Sequence, residues 1–277
     1  MTSLFTIGGD LEVDRLGFGA MRITGPGIWG WPADRAAARR LLARVVELGV
    51  NLIDTADAYG PETSEYLLAD ELHPYDGLVV ATKGGLERTG PREWVANGRP
   101  HHLRVACLNS LRRLAVDTID LYQLHVIDDE VPLEDSLGAL VELQREGKIR
   151  HIGVSNFTVP ELERARAVAT VVTVQNRYNL LDRKHDAVVD YCTEHGIGFI
   201  PWYPLGAGEL ADHIELGRIA ARHGATPSQV ALAWLLQRSP VMLPIPGTSS
   251  IAHLEDNCRA RDLELSDEEM AALTALA

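Results

Sequence analysis

One pattern restricts this chain more than any other. Short β-branched runs alternate with amphipathic stretches of helical length, with no linker, low-complexity tract or fixed-period repeat between them. The strand candidates are residues 15–21, 51–55, 78–82, 118–124, 150–154, 171–174, 198–202 and 241–245. Several are near-continuous apolar runs, such as Leu78-Val-Val-Ala81 and Val171-Val-Thr-Val174. That is the signature of parallel strands covered on both faces. The helices between them have legible ends. Asp34 precedes 35–48, whose Leu41, Leu42, Val45, Val46 and Leu48 form an apolar stripe that Gly49 stops. Residues 133–146 end at Gly147 in the same way; Thr226-Pro227 opens 227–237, and Ser266-Asp-Glu-Glu269 reads as a capping box.

Eight such alternations in one domain spanning 1–277 predict an α/β fold, a (β/α)8 TIM barrel. A doubly wound open sheet is the competitor, but Leu16-Gly-Phe-Gly-Ala-Met21 lacks the third glycine of the dinucleotide fingerprint. The segment around Gly8-Gly9-Asp10 alternates as an N-terminal β-hairpin would, and such a hairpin could plug one end of the barrel.

Composition narrows the function classes. A formal charge of −13 argues against nucleic-acid or anionic-membrane surfaces, which need clustered Lys and Arg. No apolar run reaches the ~18 residues of a membrane span, and the N-terminus lacks the basic and apolar regions of a secretory signal. Cys107, Cys192 and Cys258 share no short spacing, so neither a disulfide framework nor a cysteine–zinc knot is expected, and a cytoplasmic setting is. No His-Glu-x-x-His pair supports a metal. Nothing in the sequence sets an oligomeric state.

In a parallel barrel, chemistry sits at the carboxyl ends of the strands. Asp54, Lys83 and His125 end three successive strand candidates, and Tyr59 follows Asp54 after a short turn. Alone, each has a bland reading: a helix cap, a solvated charge, an interior histidine, a pocket aromatic. Jointly they make a proton-delivery site. A phenol with a pKa of ~10 is a poor donor at neutral pH, and an adjacent ammonium is expected to lower it. Asp54 would keep Lys83 charged, and His125 would orient a substrate carbonyl. Protonating a carbonyl oxygen leaves its carbon to accept a hydride, which no side chain supplies, so a nicotinamide cofactor is implied.

The chain resembles the aldo-keto reductases over nearly its whole length. The likeness is carried by Gly49-Val-Asn-Leu-Ile-Asp-Thr-Ala-Asp-Ala-Tyr-Gly60, Ala81-Thr-Lys-Gly84, Asp117-Thr-Ile-Asp-Leu-Tyr-Gln-Leu-His125, Gly153-Val-Ser-Asn-Phe157, Val174-Gln-Asn-Arg-Tyr-Asn179 and Ile245-Pro-Gly-Thr-Ser-Ser250. By that resemblance Tyr59 is the general acid, tuned by Lys83 and Asp54, and His125 orients the carbonyl. Ser155, Asn156 and Gln175 would hold the nicotinamide carboxamide, with Trp202 stacked on its ring. Ala20, Met21, Tyr203 and Ile245 would also touch the cofactor, and Pro204, Leu205, Gly206 and Gly208 would pass along its pyrophosphate.

Many relatives clamp the 2′-phosphate of NADP with a lysine and an arginine; Gly247 and His253 stand at the matching positions. The resemblance then leaves that phosphate to Thr248, Ser249, Ser250 and helix N–H groups, with Asp256 and Asn257 at adenine. NADPH is the expected cofactor, with NADH as the alternative. The loop His125-Val-Ile-Asp lacks the arginine or lysine common in bacterial relatives. Gly19-Ala-Met-Arg-Ile-Thr-Gly-Pro-Gly-Ile-Trp-Gly30 resembles a bacterial subgroup that includes pyridoxal reductases. The expected partner is a small carbonyl compound, with Trp29 and Trp94 as a flat wall for an aromatic aldehyde, or merely loop packed on loop. The competing function is a nicotinamide-binding redox sensor or regulatory subunit without turnover.

Overall fold

Two glycines make the first turn. Gly8 and Gly9 have φ of +63° and +86°, and they join β1 (Leu4–Ile7) to β2 (Leu11–Asp14) as an antiparallel hairpin with Ile7 opposite Leu11. The structure, a computed structural model, describes residues 4–206 and 213–276. After the hairpin come β3 (Phe18–Gly19), a 3-10 turn (Ala20–Ile23), α1 (Arg35–Glu47), β4 (Leu52–Asp54), α2 (Thr63–Leu72) and β5 (Val79–Gly84). A second hairpin, β6 (Leu86–Gly90) and β7 (Glu93–Ala96), stands apart from the main sheet. The alternation resumes with α3 (Pro100–Leu114), β8 (Ile119–Leu124), α4 (Leu133–Arg145), β9 (Ile149–Ser155), α5 (Val159–Val168), β10 (Val171–Arg177) and α6 (Asp186–His195). It ends with β11 (Gly198–Trp202), α7 (Ile214–His223), α8 (Pro227–Arg238), α9 (Ile251–Cys258) and α10 (Asp267–Thr274).

The strands pair in parallel in the order β11-β10-β9-β8-β5-β4-β3. The cylinder closes through residues 241–245, which form no regular strand, contrary to expectation. Phe199 N donates to the Val241 carbonyl and Leu243 N to the Phe199 carbonyl, both at 2.8 Å. On the other side Gly17 N donates to the Pro244 carbonyl at 2.9 Å. Pro244 and Pro246 have no N–H, so a full ladder cannot form there. The first strand is also shorter than 15–21, because Ala20 and Met21 wind into the 3-10 turn. A Cβ on Gly19 would lie 2.8 Å from the Ile245 carbonyl oxygen, so this seam needs a residue without one.

The helix ends follow the chemistry of their first residues. Asp34 accepts from Ala37 N, and Thr226 and Ser266 form capping boxes with Gln229 and Glu269. α1 buries Ala38, Leu41, Leu42 and Val45, while Val46 faces outward.

Strand periodicity divides the barrel interior into layers. The hairpin's Ile7, Leu11 and Val13 pack against Leu52, Val79, Ala81, Leu121, Ile200, Leu243 and Ile245 and seal the amino-terminal end. One step further along β4, β5, β8 and β10, the buried residues are Asp54, Lys83, Gln123 and Gln175. Because side chains two residues apart share a face, the strands that build the apolar plug also aim polar groups at the opposite mouth.

Candidate active site

Lys83 is fully buried, and an ammonium survives burial only with its donors occupied. All three are: Nζ donates to Asp54 Oδ2 at 2.7 Å, to the Thr55 carbonyl at 2.8 Å and to Tyr59 Oη at 3.4 Å. The other oxygen of Asp54 accepts from Gln123 Nε2 at 3.1 Å and Gln175 Nε2 at 2.8 Å. Asp54 is therefore the hub of the polar layer and caps no helix. Gln123 escaped the sequence reading, although its place between inward-facing Leu121 and His125 is the signal that could have found it. Tyr59 lies in the turn between β4 and α2, with Tyr59 N donating to the Ala56 carbonyl and its own carbonyl accepting from Ser64 N, each at 3.1 Å.

The electrostatics differ from the sequence expectation in one respect. Burial pushes the Tyr59 phenol above its ordinary pKa; Lys83 pulls it down, but Asp54 opposes that pull. The ion pair presents little net charge to the phenol, so desolvation wins and the hydroxyl keeps its proton. Burial also works to lower the Lys83 ammonium, yet Asp54 and Tyr59 outweigh it and hold the group above the usual lysine value. His125, buried and repelled by Lys83, sits well below the usual histidine value and is a neutral imidazole. Its Nδ1 has no hydrogen-bond partner among the described residues, and its ring meets the Tyr59 ring edge to face at 6.0 Å.

These groups open into a cavity of about 500 Å³ whose lining includes Met21, Asp54, Tyr59, Trp94, His125, Ser155, Asn156, Gln175, Trp202, Tyr203, Pro204, Leu205, Ile245 and Gly247. Arg22, Leu86, Val126 and Pro246 line it too and were missed from sequence. The Asn156 amide bridges strand ends, donating to the His125 carbonyl at 3.1 Å and accepting from Trp202 Nε1 at 3.0 Å. Ala20 is buried behind the wall. Gly206, with φ +56°, follows Leu205, and Gly208 lies outside the described residues.

The strand-eight loop is built from small polar residues. Thr248 Oγ1 accepts from Ser250 N at 3.0 Å, and Ser250 caps α9 by accepting from His253 N at 3.4 Å. Ser249 faces a neighbouring cavity with Arg22 and Arg92. Asp256 takes Thr226 Oγ1 at 2.8 Å and Gln229 Nε2 at 2.7 Å, fastening α9 to α8; Asn257 is buried and His253 exposed. Trp29 does not line the main cavity. Its backbone bridges Gly60, and its ring lies behind Arg88. Among the described residues no group of three or more His, Cys, Asp or Glu could hold a metal ion. None of the helices there is long and apolar enough to cross a membrane.

An elongated ligand with a flat polar head fits this donor set. Ser155, Asn156 and Gln175 set hydroxyl and amide groups around the barrel axis, Trp202 and Tyr203 supply flat ring surface, and Gly247 leaves the backbone bare beside the strand-eight loop.

Known proteins resemble this chain over nearly its whole length. The chain is 52% identical over 266 residues to an uncharacterized oxidoreductase of Schizosaccharomyces pombe, covering 96% of this chain and 87% of that one. It is 43% identical to the pyridoxine 4-dehydrogenase of Escherichia coli over 99% of this chain and 98% of the relative. An aldo-keto reductase from Klebsiella pneumoniae, solved in complex with NADPH, superposes with a TM-score of 0.85 at 28% identity, covering 100% and 95% of the two chains. The profile of the aldo/keto reductase family matches residues 15–277, and the chain belongs to that family.

Proposed function

We propose that this enzyme reduces an aldehyde to the alcohol with Tyr59 as general acid and NADPH as cofactor. The observation that carries the reading is the direction of one hydrogen bond. Lys83 donates to Tyr59 Oη, so the phenol's own proton is left to point elsewhere, and Tyr59 lines the cavity. A protonated phenol beside a neutral imidazole can bind a carbonyl oxygen from two sides. His125 orients the oxygen as a hydrogen-bond donor, and Tyr59 delivers the proton. Bound NADPH would supply the hydride for the carbonyl carbon, and Tyr59 would give its proton to the carbonyl oxygen. The ammonium of Lys83, fixed by Asp54 and Thr55, then stabilises the phenolate left behind until solvent reprotonates it. Positioned proton transfer of this kind contributes roughly 10²–10⁴ in rate.

Ser155, Asn156 and Gln175 would hold the carboxamide of the cofactor, with Trp202 against its ring. Thr248, Ser249 and the N–H groups at the start of α9 would receive the 2′-phosphate. Pyridoxal is the first substrate to test, because the Escherichia coli relative is a pyridoxine 4-dehydrogenase. The experiment is a panel of aldehydes, pyridoxal included, assayed with NADPH and NADH by loss of reduced-nicotinamide absorbance. Turnover with NADPH faster than with NADH is expected; cofactor binding without turnover of any aldehyde would leave a sensor as the better reading.

A further inference from the structure

The hairpin β6–β7 reaches over the mouth, and a single side chain fastens it there. Each N–H of the Arg88 guanidinium meets a backbone carbonyl. Nε donates to Glu93 at 2.8 Å, Nη1 to Ile28 at 2.9 Å and Ala58 at 2.8 Å, and Nη2 to Gly27 and Gly90 at 3.3 Å. Among the described residues no carboxylate pairs with it. Three segments thus converge on one planar fork: the 25–30 loop, the turn carrying Tyr59, and the hairpin itself. The guanidinium carbon also lies 3.7 Å from the centroid of the Trp94 ring and 5.6 Å from that of Trp29. Trp94 meets Tyr59 edge to face, with centroids 6.5 Å apart, and lines the cavity.

We propose that Arg88 is a positioning residue that fixes the gap between the Trp94 ring and Tyr59, and so makes the site selective for flat aromatic aldehydes over flexible acyclic ones. The inference rests on the aldehyde-reducing reading above. A loop tryptophan left free would have to be ordered by each substrate that stacks on it, whereas a ring already stacked has little freedom left to lose. The Tyr59 hydroxyl has its own anchor in Lys83, so loosening Arg88 moves the wall more than the acid. Lysine cannot substitute fully, since an ammonium offers neither the planar stack nor five donors in one plane.

The test uses the full-length enzyme with NADPH, pyridine-4-carbaldehyde as the flat substrate and butanal as the acyclic one. Arg88→Ala should lower kcat/KM for the pyridine aldehyde about tenfold, the size expected for losing one partly buried cation–aromatic stack, chiefly through KM. The loss on butanal should be several-fold smaller. Arg88→Lys should recover part of the loss, which guards against a variant that merely folds poorly. Trp94→Leu should reproduce the discrimination. The double variant Arg88→Ala/Trp94→Leu should be no worse than the weaker single variant within about twofold, because both remove the same wall. NADPH affinity, read by fluorescence titration, should stay close to wild type in all of them. Equal losses on both aldehydes, a loss confined to kcat, or additive losses in the double variant would overturn the proposal while the aldehyde-reducing reading stands. A wild-type enzyme that reduces neither aldehyde would overturn both.

Discussion

The two ends of this barrel are made by the same strands and do opposite work. At the amino-terminal end, Ile7, Leu11 and Val13 of the hairpin press on Leu52, Val79 and Leu121 in one apolar cluster. One step along β4, β5 and β8 the same faces carry Asp54, Lys83 and Gln123, all buried, with Lys83 and Gln123 both donating to Asp54. The lesson is one of division. Apolar burial at the closed end supplies stability, and that allows the open end to hold an arrangement that is costly to bury. Substitutions at the two ends should therefore separate cleanly into rate effects and folding effects, except at the ion pair that belongs to both.

The largest expected effect is at the open end alone. Tyr59→Phe removes a hydroxyl that accepts a hydrogen bond from Lys83 at 3.4 Å. Carbonyl reduction should fall by about 10³ or more, as loss of a positioned acid implies. The melting temperature and NADPH affinity should stay near wild type; surviving turnover would show that another group donates the proton. The pH profile sharpens the same point. Because burial holds the phenol above its ordinary value, the reductive rate should stay level through neutral pH and fall only on the alkaline side of ~10. A break near pH 6.5 would mean that His125 titrates as a free imidazole rather than standing neutral, as its burial requires.

Next is the residue that joins both roles. Lys83→Met leaves Asp54 buried with only the two glutamine amides, and breaking a buried pair costs about 3–5 kcal/mol. Stability from denaturant unfolding should drop by that amount, and the rate should collapse with it. The sign of the pH dependence follows from the raised Lys83 pKa. The pair's stabilisation is fully present below the unfolded lysine value and is lost as pH rises through the still higher folded value. Lys83→Met should therefore destabilise at neutral pH, and the gap from wild type should narrow in strong alkali. A gap that widened there would reverse the assignment.

Much of this was legible in the sequence because parallel strands repeat with period two and end at one face. Asp54, Lys83 and His125 each terminate an apolar run, so their convergence could be read without coordinates. What resisted reading had physical causes. The closing segment 241–245 looks like a strand by its apolar residues, but Pro244 and Pro246 offer no N–H, and the segment joins its neighbours by separate hydrogen bonds rather than a ladder. The β6–β7 hairpin is mostly exposed, and the inward positions of β6 are a leucine, an arginine and a glycine (Leu86, Arg88 and Gly90), so no apolar alternation betrays its period. The direction of the Tyr59 shift depended on how deeply the phenol is buried, which spacing cannot report. Trp29 and Trp94 look alike in sequence, yet of the two only Trp94 lines the cavity, and the Arg88 guanidinium carbon lies 3.7 Å from the Trp94 ring centroid against 5.6 Å for Trp29.

The closed end should answer in stability alone. Val13→Ala deletes two buried methyl groups in the plug, a loss of about 2–3 kcal/mol from transfer and cavity terms together. Its kcat should match wild type, and a tenfold fall would mean the two layers are coupled. The smallest effect belongs to the tie between the plug and the barrel rim. Asp10, in the hairpin turn, accepts from Arg150 Nη2 at 2.8 Å and lies 2.6 Å from His151 Nε2; these two partners hold its carboxyl below the ordinary 3.8. A lowered folded pKa means that the tie stabilises the fold fully above the unfolded value and is lost as pH falls through the folded one. Comparing wild type with Asp10→Asn by thermal unfolding, the difference should vanish once the pH falls below the folded pKa. Because the group is solvent-exposed, added salt should shrink the difference as well. A difference that survived below the folded pKa would place the stabilising contact elsewhere in the turn, and any change in kcat at neutral pH would contradict the separation of the two ends.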